Sequence, residues 1–415
     1  MSTSSTTSGG TWSGRPPREL NDDTIDAVRA RIGIPVRYSP RSHNEVSSSD
    51  SFRHFALAYG DDNPLYTDPA HAQASSWGSS IAPPLYPFTA GIPRRVQWSD
   101  AEKAEMAGGD PLAGIGQYMC GERWVFVKPV RAGDVLWREQ SLFSADLKAS
   151  AFGGGTGALV SHRVSWEDEG GAPFAFRFLD FWHADRERSG AAGTNRNVER
   201  PSYTDEDLAR LDACYAAEAV RGGERRGVGD LQVGEELGPI AKGPLSVTEM
   251  VAWHTGVGWG VFGGGASKVA YKNRTRIPKF YLKNELGFWD MAQRCHWDDE
   301  WAQRMGHPAA YDYGVMRSCW IAHLVTNWMG DDAWIWKLTA SVRKFNYLGD
   351  AHFVSGVVRE IDRAANTVTI DASCVNQRGE ITADGRVVVV LPPSDGGAAQ
   401  IPEFDPADIP EASVP

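Results

Sequence analysis

The chain is predicted to be α+β, with one helix-then-sheet unit occurring twice. Three observations carry this. At 415 residues the chain is too long for one ordinary hydrophobic core. Two long segments each pass from helical periodicity to alternating strand patterns, in the same order. Between them, at roughly 185–228, lies a polar stretch rich in charge and Gly, which reads as a surface linker.

In chain order, residues 1–18 are rich in Ser, Thr, Gly and Pro and are expected to be disordered. The first unit, 19–185, has a helical pattern over Phe52–Tyr59 that stops at Gly60, then a loop and a second helical segment. An apolar stretch, Ile81–Phe88, follows. Strand patterns then flank a Gly133-Asp134 turn, and the strands Ala158–Trp166 and Phe174–Trp182 flank Gly170-Gly171. The linker, 186–228, holds a short helical piece around Asp205–Ala217. The second unit, 229–393, repeats the order: a helix over Val247–His254 ending in Thr255-Gly256, and an apolar run over Tyr311–Val325. A Gly349-Asp350 turn comes next, then strands over Thr367–Val375 and Arg386–Leu391 either side of Gly379. Residues 394–415 read as a Pro- and acid-rich tail. The Gly153–Gly155 triplet is expected to be a turn between strands. Helices first and an antiparallel sheet after is the α+β pattern.

Composition narrows the function. A net charge of −11 and no block of five basic residues exclude nucleic acid as the expected partner. No apolar run approaches the roughly 20 residues a membrane span needs, and the N-terminus lacks the apolar core of a signal peptide. The five cysteines are widely spaced with no CxxC, which argues against a disulfide framework or a zinc site and for a reducing compartment. Cytoplasm is the expected location. Sixteen tryptophans are either core filling or the walls of a wide pocket.

One segment carries a functional reading. Residues 55–70, FALAYGDDNPLYTDPA, resemble the G-D-x-N-P-x-H-x-D signature of the MaoC-like, or hydratase 2, hot-dog family, and the IAPP at 81–84 sits where such N-terminal dehydratase-like domains carry the same run. The Gly-Asp turns and strand order fit as well, so the resemblance covers roughly 40–393. The second unit matches through HWDDEWAQRMG at 296–306 and AYDYG at 310–314. The resemblance implies a double hot-dog: two sheets, each wrapped round a central helix and joined within one chain. It implies water addition or removal across the 2,3 bond of an acyl-CoA or acyl-carrier thioester, with no metal and no organic cofactor, by a homo-oligomer. The insertion and the tryptophans suggest a bulky acyl group.

Hydrating an enoyl thioester requires a base for water, an acid for C2 and a donor for the enolate oxygen. A carboxylate and an imidazole facing one water supply the first two, and backbone N–H groups at a helix start supply the third. In the family the Asp and His stand five positions apart in one loop. Here the first unit keeps Asp61 and Asn63, but Tyr66 stands at the His position, and a phenol of pKa about 10 is a poor base. The first half is therefore expected to shape the acyl pocket. In the second unit a long insertion separates Gly256 from His296, which matches the family's H-x-D with Asp298. Its nearest upstream acid at a suitable distance is Asp290, six residues before it. The resemblance makes His296 and Asp290 the catalytic pair, with Asp61 and Tyr66 as the first-half counterparts, and Gly314 the oxyanion donor. Asn63, Tyr311, Asp312 and His254 are substrate-binding candidates. Lys272 and Arg274 are candidates for the CoA phosphates, or else part of a solvated loop face. His254 and His323 read more simply as core histidines beside Trp253 and Trp320. The Gly263–Gly265 triplet lacks the flanks of a phosphate-cradling loop. Two other readings stay open: a hot-dog thioesterase, and a non-catalytic thioester-binding subunit that needs a partner chain.

Overall fold

The computed structural model describes residues 19–37, 39, 41–150, 155–184, 198–258, 265 and 267–412. The N-terminal 1–18 and most of the Gly153–Gly155 and Gly263–Gly265 triplets lie outside the described residues, as do 186–197 of the linker. In chain order the helices are α1 (Asp22–Arg29), α2 (Ser49–Leu57), α3 (Pro64–Thr67), α4 (Pro69–Ala74), α5 (Asp100–Met106), α6 (Asp205–Ala217), α7 (Val247–Val257), α8 (Ser267–Arg276), α9 (Asp299–Arg304) and α10 (Gly314–Met329). The strands are β1 (Ile92–Pro93), β2 (Gly116–Phe126), β3 (Trp137–Ser150), β4 (Gly155–Glu167), β5 (Pro173–Ala184), β6 (Glu236–Lys242), β7 (Tyr281–Lys283), β8 (Trp289–Met291), β9 (Trp334–Val342), β10 (His352–Asp362), β11 (Thr367–Asn376) and β12 (Ile381–Val390).

Ten strands form one sheet in the order β1-β3-β4-β5-β2-β9-β12-β11-β10-β6. The two halves join where β2 pairs antiparallel with β9, from Gly121 opposite Ser341 to Val125 opposite Lys337. A side chain at Gly121 would put its Cβ 2.7 Å from the Ala340 carbonyl, so glycine is required at this seam. β7 and β8 form a separate small hairpin within the insertion.

α10 runs through the middle of the second half, and fourteen of its sixteen residues are buried. A helix covered on every side is a core helix, and its buried charge at Arg317 is fully partnered. Arg317 reaches back to Asp312 with two hydrogen bonds, 2.9 and 2.5 Å, and to the Thr382 carbonyl at 2.9 Å. In the first half the corresponding position holds only a 3-10 turn, Tyr86–Thr89, entered through Leu85 at φ 65°. Aromatic rings fill the space there. Phe52 and Phe55 meet Tyr86 edge-on at 4.8 and 5.9 Å, and Trp124 stacks on both Phe126 and Trp166 at 5.3 Å. Trp124, Trp166, Trp182, Trp253, Trp301 and Trp320 lead the fully buried side chains, which answers the tryptophan question in favour of core filling.

The C-terminal stretch is docked rather than trailing. Phe404 stacks on Phe176 at 4.2 Å, Asp408 pairs with Lys337 at 2.8 Å, and the Pro410 carbonyl accepts from Arg123 at 2.8 Å. Among the described residues no helix is long and apolar enough to cross a membrane.

Candidate active site

The start of α10 is where the second half gathers its chemistry. Tyr313 is the N-cap residue, and no side chain caps the helix there. Its first backbone N–H groups therefore lack intrahelical partners. A Cβ on Gly314 would come to 3.0 Å from Val342 and 3.1 Å from Met119 Sδ, so both sheet halves close over this point. The 3-10 turn Ala292–His296 brings His296 alongside, its ring centroid 3.8 Å from that of Tyr313 and 4.6 Å from that of Tyr311. His296 Nδ1 lies 2.8 Å from the Tyr311 carbonyl. A carbonyl only accepts, so Nδ1 carries the proton and Nε2 holds the lone pair. Burial pushes this imidazole down to about 3, which keeps it neutral and basic in form at pH 7. His254, from α7, completes the group: its Nε2 is 3.2 Å from Tyr313 Oη, and Trp297 stands edge-on to it at 5.1 Å. Gln293 donates its amide to Tyr313 Oη at 3.3 Å, leaving the hydroxyl proton for His254. Burial raises the Tyr313 phenol well above its usual value, so it stays protonated.

The first-half motif has gone elsewhere. Asp61 is fully buried and accepts from the Asn63 backbone at 3.0 Å and from Tyr59 Oη at 3.2 Å. Facing it at 3.5 Å is Nε2 of His323, which projects from α10 of the other half. Lys242, at the end of β6, donates to the carbonyls of Tyr59 and Gly60 at 3.0 and 3.2 Å and lies 2.6 Å from His323 Nδ1. Three ammonium protons thus meet three acceptors, and the His323 Nε2–H is left for Glu218 Oε1 at 2.9 Å and for Asp61. Burial pushes the Glu218 carboxyl up, but the hydrogen bonds from His323 and Asn327 outweigh it and the net direction is down. Lys242 is pushed down by burial. The result is a closed charge cluster across the two halves. Tyr66 is buried apart from it, beside Leu65, Ile81, Phe126 and Trp334, around a space of about 10 Å³ that holds no more than one water.

Several sequence expectations need correction. Asp290 does not meet His296: its carboxylate takes Arg294 Nη1 at 3.0 Å and its own-strand Met291 N–H at 2.8 Å. Arg294 also holds Asp298 and Glu285, so Asp298 belongs to this ion cluster and caps α9 through the Trp301 N–H. Asp312 is engaged by Arg317 through both oxygens and by Asn346 at 2.9 Å, so its recorded partners are structural. Asn63 caps α3 by accepting from the Leu65 N–H at 3.0 Å. His323 is a core histidine, but one with charged partners. Tyr311 packs against His296, His307 and Phe345. Lys272 and Arg274 lie on α8, which has no buried residue. A groove of about 610 Å³ lies on the sheet around Ser355, Asp371 and Arg386, and includes none of these candidates.

Sequence reasoning missed Tyr313, Gln293, Lys242 and Glu218. Tyr313 was available as the residue before the expected oxyanion glycine. For Lys242 and Glu218 no local signal exists. Among the described residues no group of three or more His, Cys, Asp and Glu side chains is arranged to hold a metal.

A ten-stranded sheet with two hot-dog halves in one chain defines a double hot-dog protein. Comparison with known proteins agrees. Residues 35–176 match the FAS1-like dehydratase domain region. A protein described as a MaoC-like dehydratase superimposes with a TM-score of 0.58 at 16% identity, over 88% of this chain and 99% of its own. A conserved hypothetical protein from Mycobacterium tuberculosis, described as having a double hotdog fold, gives 0.50 at 12% identity, over 88% and 97%. In sequence, a UPF0336 protein from Streptomyces avermitilis is 34% identical over 102 residues, 24% of this chain and 61% of the relative. Another from Thermobifida fusca is 36% identical over 87 residues, 20% and 51%. The chain thus spans half to three-fifths of these curated relatives' lengths. Residues 35–176 thus match a FAS1-like dehydratase region, and the chain as a whole has the double hot-dog fold.

Proposed function

We propose that the chain is a hydro-lyase that adds water to a 2-enoyl thioester, or removes it from the 3-hydroxyacyl thioester, at the start of α10. The supporting observation is the His296 tautomer: Nδ1–H fixed on the Tyr311 carbonyl leaves a neutral Nε2 as base beside the helix start. In the hydration direction Nε2 takes a proton from water as the water oxygen bonds to C3. The electron pair of the 2,3 bond moves towards the thioester carbonyl, whose oxygen is stabilised by the N–H groups that begin α10. Tyr313, hydrogen-bonded to His254, delivers a proton to C2 and recovers one from the protonated His296 packed against its ring, so both groups return to their starting states. His296 replaces the expected Asp/His pair with a histidine–tyrosine–histidine group. A coenzyme A or carrier-protein thioester and a bulky acyl chain remain part of this proposal.

The test is loss of 2,3-double-bond absorbance when the purified chain meets crotonyl-CoA. His296→Ala is expected to lower kcat by about 10²–10⁴; a loss under threefold removes His296 from the mechanism. One observation favours a second reading, a thioester-binding subunit: Asp61 and Asp290 are both bound in ion clusters. Under that reading the chain alone turns nothing over, and activity appears only with a second chain. Release of free thiol without hydration would point instead to a thioesterase.

A further inference from the structure

α8 and the β7–β8 hairpin form the most unusual surface of the molecule. Between residues 258 and 284 stand six cations, Lys268, Lys272, Arg274, Arg276, Lys279 and Lys283, and no Asp or Glu, in a chain whose net charge is −11. The two acids that follow, Glu285 and Asp290, are neutralised by Arg294. Among the described residues Lys268, Lys272, Arg274, Lys279 and Lys283 have no carboxylate within ion-pair distance. Apolar and aromatic side chains stand exposed among them. Leu286 is 78% exposed, Phe288 56% and Trp289 47%, and the Arg274 guanidinium lies over the Trp289 ring at 5.0 Å. α8 itself has ten residues and buries none. A helix of that length is marginal in water without a packed face, and exposed apolar groups rimmed by charge mark interaction sites.

We infer that this surface docks a small acidic carrier protein that presents the acyl group on a phosphopantetheine thioester. Charge complementarity chooses the partner. An acidic protein is repelled by most of this chain and attracted here, which sets both encounter and orientation. Position supports it, because β8 leads directly into His296. Trp289 stands seven positions before His296, so the patch lies within about 25 Å of the site along the chain. The inference rests on the thioester hydro-lyase reading and specifies its carrier.

The test is fluorescence anisotropy of a labelled, purified acidic acyl carrier protein in its apo form, titrated with the full chain. Apo carrier has no thioester, so the readout is independent of turnover. Saturable binding is expected at 50 mM NaCl, weakened about tenfold or more at 300 mM and to the same degree by the triple variant Lys272→Glu, Arg274→Glu, Lys279→Glu. The substituted side chains are solvent-facing or half-buried on the insertion, and an unchanged circular dichroism melt confirms that the variant folds. Absence of saturable binding, or equal binding by the variant, overturns the inference. So does binding of phosphatidylserine vesicles without carrier binding, or a variant-sensitive self-association without it. Carrier binding with no turnover of any enoyl thioester would leave the docking surface standing and defeat the hydro-lyase reading. Turnover of crotonyl-CoA without carrier binding would do the reverse.

Discussion

The two halves share an order of elements and treat their polar residues in opposite ways. The first half keeps the recognisable motif, GDDNPLY, and encloses its carboxylate. Asp61 sits in a closed cluster with His323, Lys242 and Glu218, and the space beside Tyr66 holds no more than one water. The second half has lost the motif's Asp but gathers His254, His296 and Tyr313 at an uncapped helix start. The difference follows from the central helix. A sixteen-residue helix gives the second half a buried N-terminus with unpaired N–H groups, whereas a four-residue 3-10 turn gives the first half none to aim. Under the proposed function, the half that keeps the motif is not the half that carries the chemistry.

The comparison breaks most easily at Lys242. Lys242→Met leaves Glu218 and Asp61 facing His323 without the cation, and should cost about 3–5 kcal/mol in urea unfolding. Were the cost under 1 kcal/mol, the cluster would not be holding the halves together.

Acid should discriminate next. Burial pushes His296 and His352 of the second half down to about 3, and His183 of the first half to about 4. The unfolded chain takes these protons near pH 6.5 and the folded chain does not. Stability is therefore complete above about pH 6.5 and falls as pH drops towards 4, by up to about 1.4 kcal/mol per pH unit for each histidine. His352, tilted against Trp320 with both ring nitrogens unpaired, is the clean probe. His352→Phe should flatten the slope of unfolding free energy between pH 7 and 5; an unchanged slope would show that His352 is not held neutral.

A smaller effect is expected at Tyr313. Tyr313→Phe removes one hydroxyl and its link to His254, and should lower kcat about tenfold with KM little changed. A rise in KM alone would make Tyr313 a binding group.

Much of this was legible in the sequence. The Gly349-Asp350 turn was readable because Asp350 accepts from the Tyr347 N–H within the same turn. His296 and Gly314 could be named from the sequence because the motif spacing points to them, and their roles belong to the proposed function. Asp290 was misread because spacing says nothing about which way a carboxylate turns. Arg294, four residues on, was the available signal, and Arg317, five residues after Asp312, marks a similar local pair. The Lys242–His323 contact spans 81 residues and Asp61 lies in the other half, so no local pattern encodes it.

The most direct measurement is kcat for crotonyl-CoA hydration by Asp61→Asn and His296→Ala, side by side with the parent chain. The account predicts that His296→Ala loses about 10²–10⁴ in kcat, while Asp61→Asn stays within about tenfold and loses stability instead. A collapse of kcat in Asp61→Asn, with His296→Ala near the parent value, would return the chemistry to the first half and contradict it.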